Sequence, residues 1–309
     1  MASVTTIKKN GLDCVQLTHS SGASALVYVY GAHLASWQTS DGAEQLFVSS
    51  KTEYGGGTAI RGGVPICWPQ FADRGPLPKH GLCRNSAEWQ VVRTSSEPYP
   101  CVVLGLSDTE ATRAAYPSSF SLRYSVTLDG PESLSTALMV QNTGDAPLEF
   151  TGALHTYLRC EDAAAVRVQG LQGLQYEDST KGGAVARQEE PLLSIAGEVD
   201  RVYLGAPAEA YVIEVILVSK YVYLVEYVSS AQWCSMLAVQ LATRVNLLSS
   251  VTQHVFAVYS TGRAGHEGAQ DGHAGRRRVE HRRRQGGRAQ GPGGRRVEAV
   301  RLLRGGGRG

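Results

Sequence analysis

Short runs in which apolar and polar residues alternate follow one another through the first 210 residues, and Gly, Ser, Asp and Asn separate them. Clear examples are FSLRYSVTLDG at 120–130 and LEFTGALHTYLR at 148–159. Alternation with a period of two is typical of β-strands that bury one face. No segment of the sequence combines a sustained helical stripe with a cap at each end. The pattern therefore predicts an all-β fold, an antiparallel sandwich or barrel.

The chain has 309 residues, of which 42% are hydrophobic and 19% charged, as is typical of globular proteins. Its six cysteines are irregularly spaced and form no CxxC pair, which favours reduced thiols over a disulfide framework or a zinc site. The amino terminus lacks the apolar core of a signal peptide. No apolar run reaches the roughly 18 to 20 residues that span a bilayer. We therefore expect a soluble, cytoplasmic protein that makes no membrane contact, and we expect a monomer.

Charge is distributed unevenly along the chain. Residues 261–309 contain 13 arginines, no lysine and 4 acidic residues, whereas residues 1–260 contain 17 basic and 24 acidic side chains. Such a change in composition predicts a boundary near Ser260.

The segment 61–85, RGGVPICWPQFADRGPLPKHGLCRN, has the strongest concentration of candidate chemistry. Its prolines and glycines predict a shaped loop rather than an ordinary strand. The loop carries cations and a histidine beside two aromatic residues: Arg61, Arg74, Lys79, His80, Arg84, Trp68 and Phe71. Cations bind phosphate oxygens and aromatic faces pack on sugar rings, so one interpretation is a sugar-phosphate site. The other is a solvated basic loop around a buried tryptophan.

Four motifs in order carry a family resemblance: RGGVPICWPQF, KHGLCRN, LHTYLR at 154–159 and EVDRVYLGAP at 198–207. Over about residues 11–209 the chain resembles the glucose-6-phosphate 1-epimerase family, relatives of aldose 1-epimerase. The resemblance implies a large antiparallel two-sheet β-sandwich like that of galactose mutarotase, with a ligand cleft on the concave face of one sheet. It also implies interconversion of the α and β anomers of hexose 6-phosphates, with a small sugar phosphate as the partner and neither a metal nor a cofactor.

The same resemblance assigns residues. His155 matches the catalytic histidine, the general acid at the ring oxygen, and His80 matches a histidine that contacts the sugar hydroxyls. The other positions that match substrate-binding residues of the family are Arg61, Lys79, Arg84 and Asp200. Two plainer interpretations stay open: His155 as a core histidine and Asp200 as a turn aspartate. We expect Arg74 and Arg159 to be solvated or structural.

The resemblance stops after Tyr211, where the family has further core strands and a late glutamate that serves as general base. Glu214 and Glu226 are the nearest acidic residues, and neither has a matching context. We therefore expect three parts: a sandwich domain at 1–210, lacking strands at its carboxyl end, an atypical apolar segment at 211–260 and a disordered Arg/Gly-rich tail at 261–309.

Two explanations of this break stay open. Either the carboxyl-terminal part is a genuine replacement, or it is a retained intron followed by coding sequence read in the wrong frame, which the arginine-rich, lysine-free tail favours. Two alternatives to the epimerase follow: a catalytically dead protein that binds carbohydrate phosphates because the base is missing, and nucleic-acid binding through the basic tail. Only the tail supports the latter.

Overall fold

The computed structural model describes residues 1–205 in full and, beyond them, the backbone of 209–214, 219–226, 237–244, 253–264 and 296–304. The described strands in residues 1–205 are β1 (Ser3–Lys9), β2 (Leu12–Thr18), β3 (Ser24–Tyr28), β4 (His33–Gln38), β5 (Ile66–Cys67), β6 (Gln90–Ser95), β7 (Cys101–Ser107), β8 (Phe120–Gly130), β9 (Ser133–Asn142), β10 (Leu148–Arg159), β11 (Val166–Gln169), β12 (Gln175–Asp178), β13 (Ala184–Arg187), β14 (Leu192–Ser194) and β15 (Val199–Leu204). The later described strands are β16 (Glu209–Glu214), β17 (Ser219–Glu226), β18 (Leu237–Arg244), β19 (Gln253–Ala264) and β20 (Arg296–Arg304).

These strands pair antiparallel in three sheets. A four-stranded sheet has the order β1-β2-β3-β4, a seven-stranded sheet the order β13-β12-β15-β18-β19-β10-β5, and a nine-stranded sheet the order β14-β11-β16-β17-β20-β9-β8-β7-β6. The prediction of an antiparallel all-β sandwich is confirmed.

Helical structure is minor in the described part of the chain. One α-helix, α1 (Glu110–Ala115), is capped at its start by reciprocal hydrogen bonds between Thr109 and Thr112. Single 3-10 turns lie at Tyr30–Ala32, Ala163–Ala165 and Ser179–Lys181. None of these helices has the length and apolar character that crossing a bilayer requires.

The main core contains residues from all three sheets. In β8 every second residue from Phe120 to Gly130 is buried, which is the alternation that the sequence predicts. Trp68, fully buried, bridges the sheets: its ring centroid lies 4.5 Å from that of Phe120 in β8 and 5.8 Å from that of Phe150 in β10. Removing such a buried aromatic side chain typically costs about 3–5 kcal/mol of stability.

The carboxyl-terminal strands pair with strands from the first 205 residues. The strand β19 pairs with β10 along its length, from Leu148 opposite Ala264 to Arg159 opposite Gln253, and β18 lies between β15 and β19. Strand β20 pairs with β17 and β9. The predicted disorder of 261–309 falls mostly on residues outside the described part, and the division into three parts stays a prediction.

Candidate active site

Strand β10 carries one candidate catalytic residue and separates the main core from the site. Leu154 and Leu158 point into the main core, and Ala153 and His155 therefore lie on the opposite face of the strand. The amide of His155 donates to the carbonyl oxygen of Pro65 at 3.0 Å, which ties the strand to the segment that leads into the loop. His155 is only 6% exposed, and its Nδ1 has no hydrogen-bond partner.

The sheet register extends this face across neighbouring strands. His155 is aligned with Ala257 in β19, which is aligned with Gln240 in β18 and then with Val202 in β15. Val202 belongs to the same small buried cluster as Ala153, Cys67 and Phe71. We call the side of the seven-stranded sheet that carries Ala153, His155 and Val202 the site face.

Asp200 lies on the same site face, two residues before Val202 in β15, and is half-buried. Through the aligned residues of β18 and β19, Asp200 is in register with Tyr157 of β10. Asp200 thus belongs to a strand and not to a turn, in contrast to the plainer of its two interpretations.

A loop from Pro69 to His80 lies against the site face. The carbonyl oxygen of Pro69 accepts a hydrogen bond from the amide of Thr151 at 2.8 Å, and the amide of Phe71 donates to Oγ1 of Thr151 at 2.8 Å. Phe71 is fully buried in the cluster with Ala153 and Val202. We call residues 69–80 the site loop.

Hydrogen bonds close the site loop at its base, and the buried side-chain amide of Gln70 fills its interior. Ala72 and His80 are joined by two hydrogen bonds: the His80 amide donates to the Ala72 carbonyl at 3.0 Å, and the Ala72 amide donates to Nδ1 of His80 at 3.2 Å. Inside the loop the side chain of Gln70, 3% exposed, bonds the carbonyl oxygens of Ala72 and Leu77 and the amide of Leu77. These contacts give the proline-rich segment a fixed shape.

This closure brings His80 to His155. The two rings stand edge to face, with centroids 5.3 Å apart and an interplanar angle of 80°. Because Nδ1 of His80 accepts a hydrogen bond, the proton of the neutral imidazole lies on Nε2, which is then a donor. The structure therefore places both predicted histidines in one buried pair.

Both histidines are neutral in the unliganded protein. Burial, together with the nearby cations of Arg84 and Lys79, lowers the pKa of His80 to about 3. Burial, followed by His80 and the same two cations, lowers the pKa of His155 to about 3. The two nearby cations disfavour a positively charged imidazolium, and for the same reason they favour an anion at this place.

The predicted cations differ in placement. Nη2 of Arg84 donates to the carbonyl oxygen of Lys79 at 3.0 Å, so the two residues are held together beside the histidine pair. Lys79 is exposed and lies 3.6 Å from Asp73. Arg61 is exposed, two residues before Gly63, whose carbonyl oxygen accepts from the amide of Tyr157. The backbone of Arg61 itself bonds to Ser49 and Thr52, and within the described part of the chain no hydrogen bond or ion pair joins its side chain to the histidine pair.

Of two further residues at the site, Tyr157 had no predicted role and Phe71 was predicted only as an aromatic face of the loop. The ring of Tyr157 stacks on that of His155, with centroids 5.0 Å apart and planes inclined by 27°. Phe71 lies beside both histidines, with its centroid 5.6 Å from that of His80 and 6.4 Å from that of His155. The two-residue spacing of His155 and Tyr157 in a predicted strand was a signal for the first. Within the described residues no group of three or more His, Cys, Asp or Glu side chains is arranged to hold a metal ion.

The fold and this histidine pair define a β-sandwich with a polar site on the outer face of one of its large sheets. The sequence model of one family, aldose 1-epimerase, matches residues 13–262, beyond Tyr211 where the motifs end. The chain belongs to the aldose 1-epimerase family.

Proteins with the name "Putative glucose-6-phosphate 1-epimerase" are among the similar sequences. That of Cenchrus ciliaris is 35% identical over 216 residues, which cover 66% of this chain and 64% of the relative. That of Escherichia coli strain K12 is 32% identical over 202 residues, 64% of this chain and 65% of the relative. The match therefore spans somewhat less than two thirds of the length of these relatives.

Among solved structures, a "putative mutarotase" from Salmonella typhimurium superimposes with a TM-score of 0.76 at 22% identity, covering 97% of this chain and 92% of the other. A galactose mutarotase-like protein from Clostridium acetobutylicum has a TM-score of 0.65 at 13% identity, covering 84% of this chain and 88% of the other. At these identities the likeness establishes the fold, and the predicted galactose mutarotase-like sandwich is confirmed.

Proposed function

We propose that this protein interconverts the α and β anomers of hexose 6-phosphates, with glucose 6-phosphate as the first substrate to test. The observation that carries the proposal is the buried pair of His80 and His155, close enough to Arg84 and Lys79 for both cations to lower their pKa values. Imidazole serves proton transfer near neutral pH, and cations hold phosphate. The names of the curated relatives support the same substrate.

In the proposed reaction a base removes the proton of the anomeric hydroxyl while His155 gives a proton to the ring oxygen. The bond between C1 and the ring oxygen breaks, and C1 becomes a carbonyl carbon. Rotation about the C1–C2 bond presents the other face of the carbonyl, and ring closure returns both protons. General acid and base catalysis of this kind contributes roughly 10²- to 10⁴-fold each.

The remaining predicted residues take binding roles in this proposal. The Nε2–H group of His80 donates to a sugar oxygen, and Asp200 accepts hydrogen bonds from sugar hydroxyls on the site face. Arg61, Lys79 and Arg84 bind the 6-phosphate. Phosphate binding also bears on the acid, because a dianion offsets the cations that help to keep His155 neutral.

A second candidate function follows from strands β18 and β19, which lie between β10 and β15. Their sequences, LAVQLATR and QHVFAVYSTGRA, contain no aspartate or glutamate. The family resemblance implies a glutamate as the general base, and these two strands supply none. This observation favours a protein that binds sugar phosphates with little or no turnover.

The first experiment is the anomerisation of freshly dissolved α-glucose 6-phosphate by the full chain. We expect acceleration over the spontaneous rate, lost in His155→Ala and retained in His19→Ala, a variant of a half-buried histidine that bonds to nearby Ser21. No acceleration, together with binding of glucose 6-phosphate that weakens in Arg84→Met, would establish the second function instead. Absence of both turnover and binding would contradict both proposals.

A further inference from the structure

The site loop is attached to the sheet at a second place, through Arg74. Arg74, at its outer end, forms an ion pair with Glu177 of β12 through Nη2 and Oε2. The two side chains are 33% and 30% exposed, so the pair is partly shielded from solvent. The residues are 103 positions apart in sequence, and the contact therefore depends on the tertiary fold.

Glu177 lies on the site face. Its neighbour Tyr176 is part of the main core, so Glu177 points to the other side of β12. The register aligns Glu177 with Val202, and through Gln240 and Ala257 with His155. Strands β15, β18 and β19 separate β12 from β10. Four spacings between neighbouring strands amount to about 19 Å.

The site loop therefore crosses the site face from one side to the other. It starts beside β10, where Pro69 and Phe71 bond to Thr151, passes over Val202 through Phe71, and reaches β12 through Arg74. His80 is at the base of this loop, bonded to Ala72. Moving the outer end of the loop would thus move Ala72, and with it the partner that fixes the His80 ring.

We propose that the Arg74–Glu177 ion pair is a positioning device for the candidate active site, holding the site loop across the sheet so that His80 keeps its orientation toward His155. Arg74 lies in the site loop six residues before His80, and Glu177 lies on β12. They act through Ala72 and Gln70, which transmit the anchored position of the loop to His80. This inference rests on the proposed function for its catalytic consequence, but its structural consequence is independent of turnover.

The structural consequence is measured by ¹⁵N NMR of the histidine side chains in the unliganded full chain. In the natural protein His80 should show one neutral tautomer, with the proton on Nε2. In Arg74→Met and in Glu177→Gln the released loop should allow exchange between tautomers at His80. Arg113→Met is the matched control, because Arg113 forms a similar ion pair with Asp108 away from the site.

The functional consequence is measured on the same variants. Loss of a partly exposed ion pair should weaken glucose 6-phosphate binding about fivefold, and Arg74→Lys, which keeps the charge, should restore part of it. The charge-reversed double variant Arg74→Glu with Glu177→Arg should be less impaired than either single loss.

A single His80 tautomer and binding within about twofold of the natural protein in both single variants would overturn the inference. If the natural protein shows no turnover but the NMR changes occur, the proposed function fails and the positioning role stands. If turnover is present and unchanged in both variants while His80 keeps its tautomer, the positioning role fails alone.

Discussion

The backbone of Ala72 makes two hydrogen bonds to His80: its amide donates to Nδ1 of the imidazole at 3.2 Å, and its carbonyl oxygen accepts from the His80 amide at 3.0 Å. His80 also has a positive φ of 68°, a conformation that asparagine adopts more readily than most residues. The position therefore has two separable demands. It needs an acceptor for Ala72, and the proposed chemistry needs a donor on Nε2.

His80→Asn separates these demands. The Oδ1 atom of asparagine can replace Nδ1 as the acceptor, but the variant has no equivalent of Nε2–H. We expect its free energy of unfolding to stay within about 1 kcal/mol of the natural protein, while binding or turnover of glucose 6-phosphate falls strongly. His80→Leu loses both groups and should be destabilised by about 2 kcal/mol or more. Equal losses of stability in the two variants, measured by urea unfolding, would contradict the separation between the structural role of Nδ1 and the proposed chemical role of Nε2–H.

Gly81 is required by the close approach of two backbone segments. It has a φ of 71°, and a Cβ atom placed there would lie 2.3 Å from the carbonyl oxygen of Trp68. Gly81→Ala should therefore cost at least about 2 kcal/mol of stability, the sum of a left-handed conformation and a backbone clash.

Gly182→Ala is the matched control for this prediction. Gly182 has a similar φ of 65°, but a Cβ atom added to it would meet no other atom within 4 Å. Conformation alone should then cost about 1 kcal/mol. Urea unfolding of both variants compares the two losses of stability. Equal losses would mean that the backbone around Trp68 moves to accommodate the added Cβ atom at little energetic cost.

Strands such as β8 and β10 could be predicted from the sequence because they bury one face in the main core. The alternation in 120–130 and in 148–159 corresponds to β8 and β10. The run 44–50, EQLFVSS, looks equally strand-like, yet it makes only isolated bridges, including Leu46 with Leu158 and Val48 with Gly62. The hydrophobic residues of this run are buried or half-buried, although the run forms no continuous hydrogen-bonded strand pair. Burial alone therefore produces the same sequence pattern as a paired strand.

The site was predictable only in part. His80 and His155 were found through motifs, since no local periodicity predicts that residues so far apart in sequence will meet. Gln70 carries no signal of its own, although its side chain bonds three backbone groups of the site loop. The Arg74–Glu177 contact is likewise a product of tertiary packing, and Arg74 was expected to be solvated or structural. The roles of the predicted site residues stay proposals.

Acid should destabilise the protein through its buried histidines. Burial lowers the pKa values of His33, His80 and His155 to about 3, so the folded chain leaves all three neutral at pH values where the unfolded chain has protonated them. Stability from these groups is therefore complete above pH ~6.5 and declines as the pH falls toward ~3. Each group should contribute up to about 1.4 kcal/mol per pH unit.

His33 allows this dependence to be tested away from the site. It is fully buried, and burial is the main cause of its low pKa. His33→Gln should reduce the slope of unfolding free energy against pH between about 6 and 4, and His155→Gln should reduce it by a similar amount. The measurement is urea unfolding at half-unit pH intervals. A slope unchanged in both variants would mean that other groups govern the acid transition.

Binding of an anion should raise the pKa of His155. Arg84 and Lys79 help to lower it, so a phosphate dianion between them removes part of that repulsion and favours the imidazolium. Inorganic phosphate, followed by ¹³C or ¹⁵N NMR of His155 against pH, should therefore shift its titration upward.

Arg84→Met separates this electrostatic coupling from simple occupancy of the site. Losing one cation should raise the resting pKa of both histidines, weaken phosphate binding about tenfold and reduce the further shift that phosphate produces. Lys51→Met, which removes a positive charge from another loop, should leave all three quantities as they are. If phosphate binds but the titration of His155 does not move, the anion lies too far from the histidine pair to assist proton transfer, and the proposed coupling between substrate binding and acid catalysis is wrong.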